Sequence, residues 1–343
     1  MKQPALVPGK TVESRVGEIF GISIAFTCTT VLIVALRIFT RLKYVNQLRS
    51  DDYIILGSLG PVIFYGIDLC LQTQFGLGYH INDLADPASF AGSLKLFYAA
   101  EIAYYVIVGV TKISLLIFYL RIFTTSSFNF LRKLSYVLLV AISLLTVIYV
   151  VVCVFQCRPI ALAWDKGMKG TCINVTVFFY CHAGLNILAD FCIYIMPMPL
   201  FWTVKRSAKE RAALVGIFAV GGFVCLTGII RLTSLKTAMT SLDPSWDNEP
   251  SAIWSCIEAD TGVICASLPS LKPLFADVLG RVPRTQSYSR SNTSRNFGAL
   301  TESQTGLHTH SRADVELSQN PRPYKIEHVV VRTDEFRVEH SDA

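Results

Sequence analysis

The sequence predicts an all-α polytopic membrane protein, a bundle of seven transmembrane helices followed by a disordered C-terminal tail. Three observations carry that reading. Only 16% of the 343 residues are charged and 52% are hydrophobic, whereas about 25% charged is usual in soluble domains. The apolar residues fall into runs long enough to cross a bilayer, which takes ~20 residues at ~1.5 Å each for a core of ~30 Å. From 281 to 343 those runs stop and Ser, Thr, Arg and Asn dominate, a composition too polar to bury a core. The net charge of +6 is spread over loops and tail, where it reads as membrane topology and not as nucleic-acid binding. The ten cysteines lie mostly inside apolar runs, so they do not form a disulfide scaffold.

Residues 1–16 are a short polar segment, read as extracellular. Helix 1 is expected at about 17–39, too long for a signal-peptide core, with Arg41 and Lys43 after it. Helix 2 is expected at about 52–71, with Asp51 placed to cap its first turn, where a carboxylate meets unpaired N–H groups. A loop at 73–93 holds Gly76, Gly78, His80 and Pro87. Helix 3, about 94–121, is apolar yet carries Glu101 and Lys112. Ionisable groups in lipid are costly, so they face a bundle interior and find partners there. Glu101, Tyr104, Tyr105, Val108 and Lys112 share one helical face, which marks an inner helix. Helix 4 is expected at about 134–156, and a loop of 157–173 holds Cys157, Trp164, Gly170 and Cys172. Helix 5, about 175–204, has Pro197 and Pro199 near its end, each removing a backbone donor and loosening that end. Helix 6 is expected at about 212–235 and helix 7 at about 252–276. The transmembrane domain is therefore 17–280 and the tail 281–343.

Seven crossings put the termini on opposite sides. With the N-terminus outside, the inner side carries fourteen Arg and Lys near the membrane and the outer side eight. The positive-inside rule favours that orientation, with a cytoplasmic tail and a plasma-membrane location.

The stretch KISLLIFYLRIF ends helix 3, DDY opens helix 2, and GLGYH fills 76–80. Cys157, Pro159, Trp164, Gly170 and Cys172 follow helix 4; Asn186, Asp190 and Pro197 mark helix 5. Arg231 ends helix 6, and Trp254, Glu258, Pro269 and Pro273 mark helix 7. In this order, over roughly 17–280, the chain resembles the fungal rhodopsin-like domain family of seven-helix integral membrane proteins. That family includes receptor-like proteins of plant-pathogenic fungi and a satratoxin-cluster membrane protein. The resemblance implies a fungal membrane protein of receptor-like character.

Two polar layers are candidate sites. Counting from the expected helix ends puts Lys112 and Asp190 within about 4–5 Å of the same depth, close enough to form an intramembrane ion pair. Such a pair is either a switch or a brace fixing helix 3 against helix 5. Nearer the outside, Asp68, Glu101, Arg231, Glu258 and His182 lie at one level. With Tyr105 they are candidate ligand contacts in an outward-facing pocket for a cationic or hydroxyl-bearing small molecule. The alternative is an Arg231–carboxylate clamp, with the other acids near headgroup water. Cys157 and Cys172 in one outer loop are expected to form a disulfide, worth ~3 kcal/mol for a loop of this size; no metal site is expected. Asn174-Val-Thr176 is a glycosylation sequon.

Function then divides between a receptor and a transporter or accessory membrane component of a secondary-metabolite pathway. No internal repeat of the transporter kind is evident. The expected partners are the lipid bilayer, a small-molecule ligand, and a cytoplasmic signalling protein at the inner loops and tail, with no nucleic acid. No cofactor is expected: a retinal Schiff base needs a lysine inside the bundle, and Lys272 on helix 7 lies near the inner interface. No nucleophile–base pair, metal cluster or phosphate loop points to an enzyme.

Overall fold

The computed structural model describes residues 4–7, 12–85, 90–123, 129–165, 167–198 and 208–274, with backbone only for 208–214. All fall within the first of two compact units in the chain, Met1–Thr285. Seven long helices follow one another: α1 (Val16–Thr40), α2 (Ser50–Gln72), α3 (Phe90–Ile122), α4 (Asn129–Val154), α5 (Val175–Ile195), α6 (Ala208–Thr240) and α7 (Pro244–Ser267). A two-stranded ribbon, β1 (Cys157–Arg158) and β2 (Thr171–Cys172), lies between α4 and α5. The end of the bundle where α1 starts is called the near end and the opposite one the far end.

Among the described residues six helices, α1 to α6, are long and apolar enough to cross a membrane. The seventh is more polar because it is enclosed. It packs on α6, α1, α3 and α2, and fourteen of its 24 residues are buried, Glu258 and Asp260 among them. Among the 26 residues of α4 only Ser135, Ile142 and Cys153 are buried, and its exposed face is Tyr136, Val137, Val140, Leu144, Val147, Ile148 and Val151. A helix wrapped by others needs little apolar surface, whereas one on the rim must be apolar outward. The chain is a multi-pass membrane protein whose outer helices meet the lipid bilayer.

Close approach between helices rests on two glycines. A Cβ on Gly66 would lie 2.5 Å from Thr27 Oγ1 of α1, and one on Gly109 would lie 2.2 Å from Thr146 Oγ1 of α4. Real side chains do not fit at those distances, so these residues set the spacing of α1 against α2 and of α3 against α4.

Several expected boundaries shift. The last helix starts at Pro244, eight residues before the expected Ala252, because Pro takes the first helical position after Asp243. The fifth ends at Ile195, so Pro197 follows α5 and introduces no kink within it; Pro199 and 200–207 lie outside the described residues. Residues 208–211, expected in a loop, are already helical. Asp51 does not cap α2. The helix begins one residue earlier, and Asp52 instead accepts the Arg49 N–H at 3.1 Å. Arg41–Val45 prolong α1 as one wide π-turn ended by Asn46 at φ 51°. The expected tail, 281–343, also lies outside the described residues.

A strap closes the near end. Leu6 bridges Leu84 and Ser14 bridges Tyr79, with Val7 N–H on Asp83 O at 3.0 Å and Arg15 N–H on Gly78 O at 3.0 Å. The turn beneath uses positive φ at Gly76 (105°) and Gly78 (85°), and Gly78 N–H bonds Ser245 O of α7 at 3.0 Å. Leu77, Tyr79 and Asp83 are buried under this layer. His80 Nδ1 lies 2.7 Å from Asp243 and its ring stacks on Trp246 at 4.0 Å; Arg15 covers the same indole at 4.1 Å and pairs with Glu249 at 3.2 Å.

Candidate functional site

The middle of the bundle holds one continuous chain of polar groups. Lys112 of α3 places Nζ 2.8 Å from Asp190 Oδ1, 2.6 Å from Asn186 Oδ1 and 3.1 Å from the Asn186 carbonyl, all on α5. Asn186 turns its amide the other way, donating Nδ2 to Glu258 Oε1 of α7 at 2.5 Å and to Asp190 Oδ2 at 3.4 Å. Because Lys112 only donates and a carboxylate only accepts, this amide orientation is fixed by chemistry. Arg231 of α6 completes the chain with Nε 2.8 Å from Glu258 Oε2, and its guanidinium lies over the Tyr104 ring at 4.8 Å. All of these side chains are at least nine-tenths buried. Two cations face two anions, so the group is neutral as a whole, the condition under which buried charge is tolerated.

Arg231 and Glu258 of the outer layer are therefore joined to the Lys112–Asp190 pair, and the residue that joins them, Asn186, was not among the expected site residues. An uncharged amide in an apolar helix gives a weaker signal than an ion does. The other expected contacts divide. His182 of α5 sits in an aromatic cage, 4.4 Å from Tyr105, 4.6 Å from Tyr149 and 5.8 Å from Tyr104. Tyr105 donates its hydroxyl to Glu101 at 2.8 Å. Asp68 stands apart. It accepts from Gln72 one turn along α2 at 2.7 Å, and no ion pair among the described residues joins it to Arg231. The acids thus do not converge on one point, and each has its own partner.

Beside this chain a cavity of about 40 Å³, open on one side, lies between α3, α4 and α5. Tyr105, Gly109 and Lys112 form its floor, Thr146 and Tyr149 one wall, and His182, Leu185 and Asn186 the other. No group of three His, Cys, Asp or Glu side chains among the described residues is arranged to hold a metal.

A second charged cluster, absent from the expected sites, ties the far end. Arg37 of α1 is 1% exposed and spends its donors on three partners: Asp52 Oδ1 at 2.8 Å, Asp51 Oδ2 at 2.6 Å and the Ala266 carbonyl of α7 at 2.7 Å. Arg41 adds contacts to Asp52 at 3.3 Å and Ser270 at 3.1 Å. Arg121, at the end of α3, reaches Asp51 at 3.5 Å. The sequence signal was there: an arginine one turn before the end of an apolar run, and two aspartates opening the next.

Cys157 and Cys172 form a disulfide across the β1–β2 ribbon. The enclosed loop lies against α3, with Trp164 5.4 Å from Tyr98. Asn174 is exposed and caps α5 by accepting the Val177 N–H at 3.1 Å.

The fungal rhodopsin domain profile matches residues 36–277. Among curated proteins, the chain is 29% identical over 260 residues to a SAT4 family membrane protein of Emericella nidulans, covering 74% of this chain and 65% of that one. It spans less than two thirds of that relative's length. It is 25% identical over 267 residues to the polyenoic acids biosynthesis gene cluster protein Ba17b of Metarhizium anisopliae, over 74% of this chain and 72% of that one. It is 24% identical over 324 residues to Receptor GIN3 of Arthrobotrys oligospora, over 93% and 77%. No solved structure matches. The seven-helix bundle and the match from 36 to 277 establish that this chain belongs to the fungal rhodopsin domain family.

Proposed function

We propose that the chain is a receptor-like, non-catalytic membrane protein whose bundle moves between two arrangements of its buried charges. The observation that supports this most is the neutral chain Arg231–Glu258–Asn186–Lys112–Asp190, which ties α3, α5, α6 and α7 through one asparagine. A small rotation of α5 breaks bonds on both sides of Asn186 at once. A molecule in the adjoining cavity touches Lys112 and Asn186 directly, so its binding biases the same motion. In this reading Tyr105 and His182 contact the ligand, Glu101 positions Tyr105, and Arg231 and Glu258 carry the change to α6 and α7. The far-end cluster around Asp51 links α1, α2 and α3, next to the loops where a signalling partner docks. The name Receptor GIN3, borne by one relative, favours this reading.

We place the near end outside the cell at the plasma membrane and the far end in the cytoplasm, on the fourteen-to-eight Arg and Lys count. Protease added to intact cells should then spare a tag after Ala343; its digestion overturns the orientation. Retinal has no place in this reading: Lys112 is fully engaged, and Lys272 is exposed past the end of α7.

The second reading, an accessory membrane component of a biosynthetic pathway, is favoured by the name of the Metarhizium relative. Replacing the native gene with a Lys112→Met, Asp190→Asn allele separates the two. A receptor loses its transcriptional response to an external cue while product levels in unstimulated cells hold. An accessory component shows the reverse, and that outcome refutes the receptor reading.

A further inference from the structure

We propose that the cavity between α3, α4 and α5 is a lateral site for a neutral, lipid-soluble amphiphile that enters from the bilayer and sets its hydroxyl or carbonyl group on His182. The inference rests on the receptor-like reading for its purpose, but the binding it describes can be tested alone.

The way in is from the side. At the near end the strap from 4–7 and 12–15 lies over the 76–85 turn, which is bonded to the head of α7. That layer leaves Leu77 and Tyr79 buried, and beside α3 the near end carries the 157–172 loop, with Trp164 5.4 Å from Tyr98. Between α4 and α5 the opposite holds. α4 lies along α3 but meets α5 at only a few points, and the cavity is lined by these three helices alone. Since α3 is its floor, its mouth is the gap between the other two. Leu185 lines the cavity and is 42% exposed, and Leu188 beside it on α5 is exposed as well, a surface suited to acyl chains and not to water. The α5 lining, from His182 to Ala189, begins seven residues into a helix that starts at Val175. That is about 10–21 Å along α5 at 1.5 Å per residue, within a hydrocarbon core of ~30 Å.

The polar groups inside determine the chemistry of the occupant. A carboxylate would need a free cation, yet the three protons of Lys112 are matched by three acceptors. A cation would need a free carboxylate, yet Asp190 and Glu258 are each paired. His182 differs. It is 5% exposed, lines the cavity, is held by Tyr105 and Tyr149, and makes no hydrogen bond among the described residues. The ring lines the cavity with no protein hydrogen-bond partner among those residues, and a neutral imidazole both donates and accepts. A hydroxyl or carbonyl satisfies it. The remaining lining, Ile142, Leu145, Leu185 and Ala189, suits an apolar body.

The test uses the full chain in lipid nanodiscs with a long-chain primary alcohol carrying a diazirine and an alkyne, and the matching hydrocarbon without the hydroxyl. Photolabelling should be saturable, competed by unlabelled alcohol, and concentrated on residues 142–149 and 182–189. Leu185→Trp, at an exposed rim position, should block it about tenfold. His182→Phe keeps the ring contacts and should lower alcohol labelling about tenfold, the worth of one hydrogen bond, without changing hydrocarbon labelling. Labelling spread evenly along the exposed face of α4, indifferent to competitor and to Leu185→Trp, overturns the site. A protein that labels as expected but gives no response to the cue leaves the site standing and counts against the receptor reading alone.

Discussion

Removing the Lys112 ammonium tests whether the buried chain holds the bundle together. In Lys112→Met, Asp190 keeps only the weak Asn186 Nδ2 contact at 3.4 Å, and Asn186 Oδ1 loses the donor at 2.6 Å. Both residues are more than nine-tenths buried, so water does not replace the lost partner. Breaking a buried pair by removing one member costs ~3–5 kcal/mol. At about 2–4 °C per kcal/mol for a bundle of this size, the melting temperature should fall by about 6–20 °C. Asp190→Asn should sit at the gentler end, because Lys112 retains both acceptors of Asn186. The double variant removes both charges and should recover part of the loss, with a coupling of ~2–3 kcal/mol. The assay is thermal unfolding in detergent of all four proteins, read by thiol exposure at buried Cys153, Cys225 and Cys256. Additive losses, with the double variant the least stable, would refute the pairing as an energetic fact.

Three further outcomes follow from the same geometry. Asp51→Ala removes contacts to Arg37, Arg41 and Arg121 and leaves Arg37 with Asp52 and the Ala266 carbonyl, so it should cost ~1.5–3 kcal/mol, whereas Arg121→Ala, 31% exposed, should cost at most ~1 kcal/mol; a larger loss in folded yield from Arg121→Ala than from Asp51→Ala would contradict the cluster's geometry. Gly109→Ala forces α3 from α4 at Thr146 and should cost ~1–3 kcal/mol in the melting assay, part of it recovered by Thr146→Ala. Partial burial raises the Asp243 carboxyl, but bonds from His80, Ile81 N–H and Ser245 outweigh it and hold it below its ordinary 3.8. A carboxyl lowered on folding stabilises the fold above its unfolded value and loses that contribution as pH falls through its folded one. The strap should therefore loosen only below about pH 4, Asp243→Asn should flatten that dependence, and amide hydrogen exchange over 77–83 checks both.

The helices were legible in the sequence because lipid imposes a length and a polarity on each span, and apolar runs report both. α7 was partly hidden because its surroundings are protein. With Asp247, Glu249, Glu258 and Asp260 on it, its first two turns resemble a loop, and only the tertiary enclosure explains them. Depth counting put Lys112 and Asp190 at one level, and the structure has them 2.8 Å apart. Counting along helices says nothing about which faces meet, so Asp68 was grouped with residues it does not touch. Asn186 and Arg37 escaped for opposite reasons. The first carries no charge, and the second falls inside the expected span of helix 1, two residues before its end, where nothing in the run itself says that it points inward to Asp51 and Asp52.

The Arg231–Glu258 contact bears on how the chain enters the membrane at all. α6 and α7 are joined by a turn of three residues, 241–243, so they leave the ribosome as a hairpin. α7 alone is a poor substrate for insertion, since an acid at the bilayer centre costs ~2.5–3.5 kcal/mol and it carries Glu258 and Asp260 within three residues. Folded against α6, Glu258 meets Arg231 at 2.8 Å, and the lipid faces a dipole in place of two ions. The last two helices should therefore partition as a unit, and an Arg231→Ala chain should show first as a loss of membrane-inserted protein, read as yield in the membrane fraction.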